Sequence, residues 1–142
     1  MKNFFDFTGK VVLVTGGSSG IGRATAEFFG KCGASVALSY QSNRSGADAA
    51  IAAIAGYSGN GSEAGQGGGT AVGVAAAKAL AVQANVCEMA EIERMIKTVE
   101  DGLGPIDILV NNAGSLVERL LTANLTQARW DEVFDLNVRS AF

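Results

Sequence analysis

A doubly wound α/β domain, a parallel sheet with helices on both faces, is the fold class that these residues predict. Three observations carry the prediction. Short runs of β-branched and aliphatic residues alternate with segments whose apolar residues recur at helical spacing, over nearly the whole chain. The first run passes at once into a glycine- and serine-rich turn, VTGGSSGIG at residues 14–22, and then into a helical pattern. A length of 142 residues with 48% hydrophobic content suffices for one domain with its own core. Strands alternating with helices build parallel sheets through right-handed crossovers.

Residues 10–15, KVVLVT, form a β-branched run bounded by glycines, as expected for a strand buried on both faces. Ile21, Ala24, Thr25, Phe28, Phe29 and Cys32 then recur at helical spacing, and Gly33 offers a left-handed stop. Residues 35–39 predict a second strand. Residues 47–55, alanine-rich with Ile51 and Ile54, predict a second helix ending at Gly56. A third strand follows at 79–83, and Met89, Ile92, Met95, Ile96 and Val99 stripe a third helix. A fourth strand is expected at 106–110. Trp130, Val133, Phe134 and Val138 open a last helix, with Thr126 placed as its N-cap.

One segment departs from this alternation. Residues 56–77 carry eight glycines in 22 positions without a period, the composition of a flexible surface insertion. A second phosphate loop is the alternative, opposed by the lack of a strand-to-helix junction around it. The formal charge of -3 and pI near 4.9, with no run of Lys or Arg, leave no footprint for nucleic acid or an anionic membrane. Apolar runs fall short of the roughly 18 residues of a membrane span, and Asp6 interrupts the opening too early for a signal peptide, so a cytoplasmic protein is expected. Cys32 and Cys87 have no histidine to join them, which suggests two buried structural thiols and neither a disulfide framework nor a metal site.

The turn at 15–22 carries the chemistry. In a doubly wound sheet the ligand lies outside the carboxyl ends of the strands, where the first strand-to-helix turn presents helix N–H groups to a phosphate. Gly16, Gly20 and Gly22 let the backbone turn tightly and approach a diphosphate, while Ser18 and Ser19 add hydroxyl donors. The spacing differs from G-x-G-x-x-G and lacks the lysine of a P-loop, which disfavours ATP hydrolysis. A second signal, ILVNNAG at 108–114, sets two asparagines and a glycine at the end of the fourth strand. Taken alone, that stretch is equally an ordinary turn.

Taken together, TGGSSGIG, NNAG and the later WDEVFDLNVRSAF stand in the order and at roughly the spacing of the short-chain dehydrogenase/reductase family, and TGKVVLVTGGSSGIG resembles its ketoreductase-like branch. The resemblance spans the chain apart from the glycine-rich insertion and implies a Rossmann-like domain over residues 1–142, incomplete on its C-terminal side. It implies NAD or NADP as cofactor, with hydride exchange between the nicotinamide and a small carbonyl or alcohol. Under it, Gly16, Ser18, Ser19, Gly20, Ile21 and Gly22 contact the diphosphate and adenosine ribose. Asn112, Ala113 and Gly114 line the adenine ribose and the middle of the cofactor, while Asn111 ties the fourth strand to its neighbours. Asn85 and Val86 stand where the family usually has Asp-Val against the adenine, and an amide oxygen still accepts from the adenine amino group. Asn137 matches the family asparagine that holds a water behind the catalytic lysine.

Charge decides between the two cofactors. An acid about 20 residues past the glycines would chelate the ribose hydroxyls of NAD and repel a 2'-phosphate. The chain offers Tyr40, Gln41, Ser42, Asn43 and Arg44 instead, so NADP is expected, with Ser42 and Arg44 as phosphate contacts. A solvated residue at a helix start is the alternative for Arg44.

The family chemistry also needs a tyrosine with a lysine four residues on, and a serine, all normally beyond the asparagine. The two tyrosines, Tyr40 and Tyr57, are followed at that distance by Arg44 and Gly61. Two expectations remain. In one, these residues are the cofactor half of an NADP-dependent carbonyl reductase, a fragment or truncated form, inactive alone. In the other, they form a catalytically silent nucleotide-binding or interaction module that pairs through the exposed edge of the fourth strand. Self-association into a homo-oligomer is expected by analogy only.

Overall fold

The computed structural model describes residues 5–58 and 78–142. Four strands, β1 (Val11–Val14), β2 (Ser35–Tyr40), β3 (Ala79–Gln83) and β4 (Ile108–Val110), form one sheet. All neighbours run parallel, in the order β3-β2-β1-β4. The helices are α1 (Gly20–Lys31), α2 (Arg44–Ser58), α3 (Met89–Leu103) and α4 (Gln127–Asn137). The doubly wound α/β class is thus the observed one.

Alternation along β1 builds both layers of the core. Val12 and Val14 join Val36 and Leu38 of β2 against Ala26 of α1 and Ala47, Ala50 and Ile54 of α2. Val11 and Leu13 face the other way, with Ala37 and Val82, onto Met95 and Val99 of α3. A strand covered on both faces must be apolar at every position, which is why β1 reads as a continuous run. The chain steps outward from β1 to β2 to β3, then crosses back to place β4 on the other side of β1. That reversal opens a crevice at the carboxyl ends of β1 and β4.

Several expectations are corrected. The fully buried stripe of α1 is Gly22, Ala26 and Gly30; of the larger apolar residues expected there, Phe29 packs against the core, while Ile21 is 80% exposed and Phe28 44%. Close helix packing explains the shift, because a Cβ on Gly30 would lie 2.7 Å from Ile54 Cγ2. α2 begins at Arg44 and runs through Gly56, the expected stop, since Asn43 Oδ1 accepts from Gly46 N and caps the helix three residues earlier than alanine content suggested. Met89 of α3 is exposed, and so is Cys87, while Cys32 is half-buried, so neither thiol is buried. Desolvation, then the nearby Asp135, Glu88 and Glu132 carboxylates, raises the Cys87 pKa. Gly33 does take the left-handed conformation after α1, and Thr126 Oγ1 does accept from Arg129 N at the start of α4. Beyond Gly56, Tyr57 and Ser58, the glycine-rich stretch lies outside the described residues.

Lys10 Nζ and Val11 N donate to the two Asp107 carboxylate oxygens at 2.8 and 2.9 Å, fastening the entry of β4 to that of β1. The far side of β4 has no covering strand among the described residues, and Leu109 is 54% exposed. α4 buries none of its side chains; Trp130 and Phe134 stack on each other at its surface. Among the described residues no helix is long and apolar enough to cross a membrane.

Candidate cofactor cleft

The crevice is a cleft of about 510 Å³ whose floor is the turn between β1 and α1. Thr15, buried as β1 ends, holds this turn to the end of β4. Its hydroxyl accepts from Asn112 N and Ala113 N, each at 3.0 Å, and its main-chain N–H donates to Val110 O. Asn112 Nδ2 completes the brace by donating to Thr15 O at 2.9 Å and Gly16 O at 3.2 Å. On the other side, Gly17 N donates to Ser39 O and Gly16 N to Ser39 Oγ. The loop is fixed by bonds to both neighbouring strands.

The glycines answer different needs. A Cβ on Gly22 would lie 2.3 Å from Asn112 Nδ2 and 2.4 Å from Gly16 O, so the first turn of α1 closes onto the brace only without a side chain. Gly20 meets nothing within 4 Å but has φ +52°, a backbone conformation that favours glycine. Ser19 is the N-cap of α1, yet its side chain makes no capping bond. The opening N–H groups of a helix have no intrahelical acceptor and carry its positive dipole end, so the first turn of α1, which lines the cleft, suits an anion.

The fold gathers most of the expected residues here. Every glycine-loop residue named for the cofactor, together with Tyr40, Ser42, Val86, Asn112, Ala113 and Gly114, lines the cleft. Three do not. Arg44 opens α2 and turns to Asp48, Nε to Oδ2 at 3.3 Å. Tyr40, then Asp48, raises its pKa. Asn85 borders a neighbouring hollow with Gln41, Gln83, Glu91 and Arg94, and its Oδ1 accepts from Cys87 N in a local turn. That amide oxygen thus shares one of its two lone pairs with the backbone leading to α3 and keeps the other. Asn137 closes α4, with Oδ1 accepting from Ser115 N at 3.2 Å and Nδ2 donating to Ser115 O at 2.7 Å. It fastens α4 to the exit of β4, where a Cβ on Gly114 would meet its Oδ1 at 2.5 Å.

The tie between β4 and β1 is made by Asn112, not by Asn111, which is exposed. Thr15, Ser39 and Asn43 were not singled out from the sequence. A threonine just before the first glycine was the available signal for one of them; the other two are recognisable only once β2 is paired with β1. Among the described residues, none that lines the cleft is charged.

A family model described as short chain dehydrogenase matches residues 10–142. The chain belongs to the short-chain dehydrogenase family. A 3-oxoacyl-[acyl-carrier-protein] reductase of Synechocystis sp. is 38% identical over 135 residues, covering 95% of this chain and 47% of the relative. Glucose 1-dehydrogenase 2 of Bacillus subtilis is 34% identical over 137 residues, covering 96% of this chain and 46% of its own. A crystal structure of a short-chain dehydrogenase from Burkholderia cenocepacia in complex with NADP superposes with a TM-score of 0.77 at 31% identity, over 94% of this chain and 47% of that one. This short-chain dehydrogenase chain thus spans about half the length of the curated relatives it matches.

Proposed function

We propose that these residues form the NADP(H)-binding half of a short-chain dehydrogenase that exchanges hydride with a small carbonyl or alcohol. The observation that carries the proposal is the braced glycine loop, which sets the first turn of α1 against a cleft at the sheet's switch point with no carboxylate in its lining. Gly16, Ser18, Ser19, Gly20, Ile21 and Gly22 hold the diphosphate through main-chain N–H groups and hydroxyls. Val86 packs against the adenine, Asn112, Ala113 and Gly114 lie along the middle of the cofactor, and Asn137 holds the wall formed with α4. Bound, the cofactor supplies or accepts the hydride.

The lining supports NADP over NAD, because no acid in it repels a 2'-phosphate. Tyr40 and Ser42 are part of the wall, and Arg44 adjoins it. The Arg44–Asp48 pair is exposed and therefore weak, so the guanidinium is readily released to a phosphate. Two similar structures, the Burkholderia protein in complex with NADP and a metagenomic blue fluorescent protein in complex with NADPH, support the same reading.

A general acid must stand within hydrogen-bond reach of the reacting oxygen. Tyr40 and Tyr57 lack a lysine four residues on. We expect the 142 residues by themselves to bind cofactor without turning over a carbonyl. The second reading is a nucleotide-binding module without catalysis of its own. Calorimetric titration with NADP and NAD, together with an NADPH-oxidation assay, tests both. Binding with NADP preferred supports the cofactor reading; absence of binding contradicts it; NADPH oxidation above that of Gly22→Ala removes the silent-module reading.

A further inference from the structure

The turn between β2 and α2 is fastened to the glycine loop at one point, and Asn43 makes the fastening. Its Oδ1 accepts from Gly46 N at 3.0 Å and from Ser45 Oγ at 3.3 Å, capping α2. Its Nδ2 donates to Ser18 O at 3.4 Å. The approach is close on the second side too. A Cβ on Gly46 would lie 2.3 Å from Ser18 O and 2.4 Å from Asn43 Nδ2, so α2 sits against the loop only because residue 46 is glycine. Ser18 is buried and Asn43 lines the cleft.

We infer that Asn43 is a positioning residue for cofactor preference: it holds Ser42 and Arg44 at a fixed offset from the glycine loop. The inference rests on the cofactor reading above. NAD and NADP share the diphosphate that the glycine loop meets and differ only in the 2'-phosphate. The groups placed to meet that phosphate lie on either side of Asn43. Fixing them beforehand removes the ordering cost from NADP binding, whereas NAD asks nothing of the same turn. The amide supplies both parts at once, an acceptor for the helix cap and a donor for the loop. No hydroxyl or carboxylate side chain of similar length supplies both in this geometry.

Asn43→Ser separates the two parts, because serine is a good N-cap but is too short to reach Ser18 O. Calorimetric Kd values for NADP and NAD, and Tm, are measured on the full chain. Asn43→Ser is expected to raise the NADP Kd by about tenfold and the NAD Kd by less than about threefold, with Tm little changed. Asn43→Asp keeps the acceptor, loses the donor and adds a charge facing the 2'-phosphate, so it lowers the preference further. Equal weakening of both cofactors, or an unchanged ratio in both variants, overturns the inference while leaving the cofactor reading intact. A wild-type chain that binds neither cofactor overturns that reading and the inference with it.

Discussion

Gly22 and the Asn112 amide exclude each other's space, and the glycine loop depends on that exclusion. The obstacle to a methyl at position 22 is partly main chain, since Gly16 O lies 2.4 Å from the ideal Cβ. Gly22→Ala is therefore expected to cost about 1–3 kcal/mol of stability, measured by urea unfolding, and adding Asn112→Ala does not restore it. Recovery in the double variant would show that the amide alone is the obstacle. Glycine identity and spacing were legible in the sequence. The brace was not, because Thr15 and Asn112 are separated by 97 positions and meet only when β1 and β4 pair.

At the level of elements, α1 shows where apolar periodicity misleads. Phe29 of the apolar stripe packs on the core, but the fully buried face is Gly22, Ala26 and Gly30, whose value lies in their small size. Gly30 meets the Ile54 side chain rather than backbone, so its wall can give. Gly30→Ala alone is expected to cost about 1–3 kcal/mol and Ile54→Ala about 2–5 kcal/mol. The double variant should cost less than the sum, since the new methyl enters the space Ile54 leaves; additivity would refute the contact. Strand cores and the Thr126 cap were read correctly because they depend on neighbours in sequence. The start of α2 was missed because its cap is an asparagine inside a polar turn.

The entries of β1 and β4 are joined through Asp107, whose carboxyl is held below its ordinary value of 3.8, first by the Lys10 hydrogen bond and then by Val11 N–H. A carboxyl depressed in the folded state contributes stability that is present above the unfolded value and is lost as pH falls through the folded one. The wild-type advantage over Asp107→Asn in urea midpoint should therefore be present at neutral pH and fade as pH drops through 3.8 and below. A difference independent of pH would contradict the assignment.

On the scale of the whole molecule, strand order places the cleft. Crossing from β3 back past β1 to β4 is what brings residues 15–22, 39–43 and 112–115 to one end of the sheet. Alternating elements made the parallel sheet and its switch point legible, while the second hollow beside Arg94 left no mark in the sequence. The same topology leaves β4 and α4 with an apolar surface on which Trp130, the chain's one tryptophan, is 52% exposed. Dilute protein should show water-like tryptophan emission that acrylamide quenches freely. Blue, protected emission at all concentrations would contradict the exposed face.

On the proposed reading, the braced loop and the first turn of α1 receive the diphosphate of NADP(H). Backbone amide shifts of the isotopically labelled full chain, recorded as NADP is added, test it most directly. Saturable shifts are expected at Ser18 to Gly22 and Asn112 to Gly114, with Gln83 and Arg94 little affected. An unchanged spectrum, or shifts confined to the hollow beside Arg94, would contradict it.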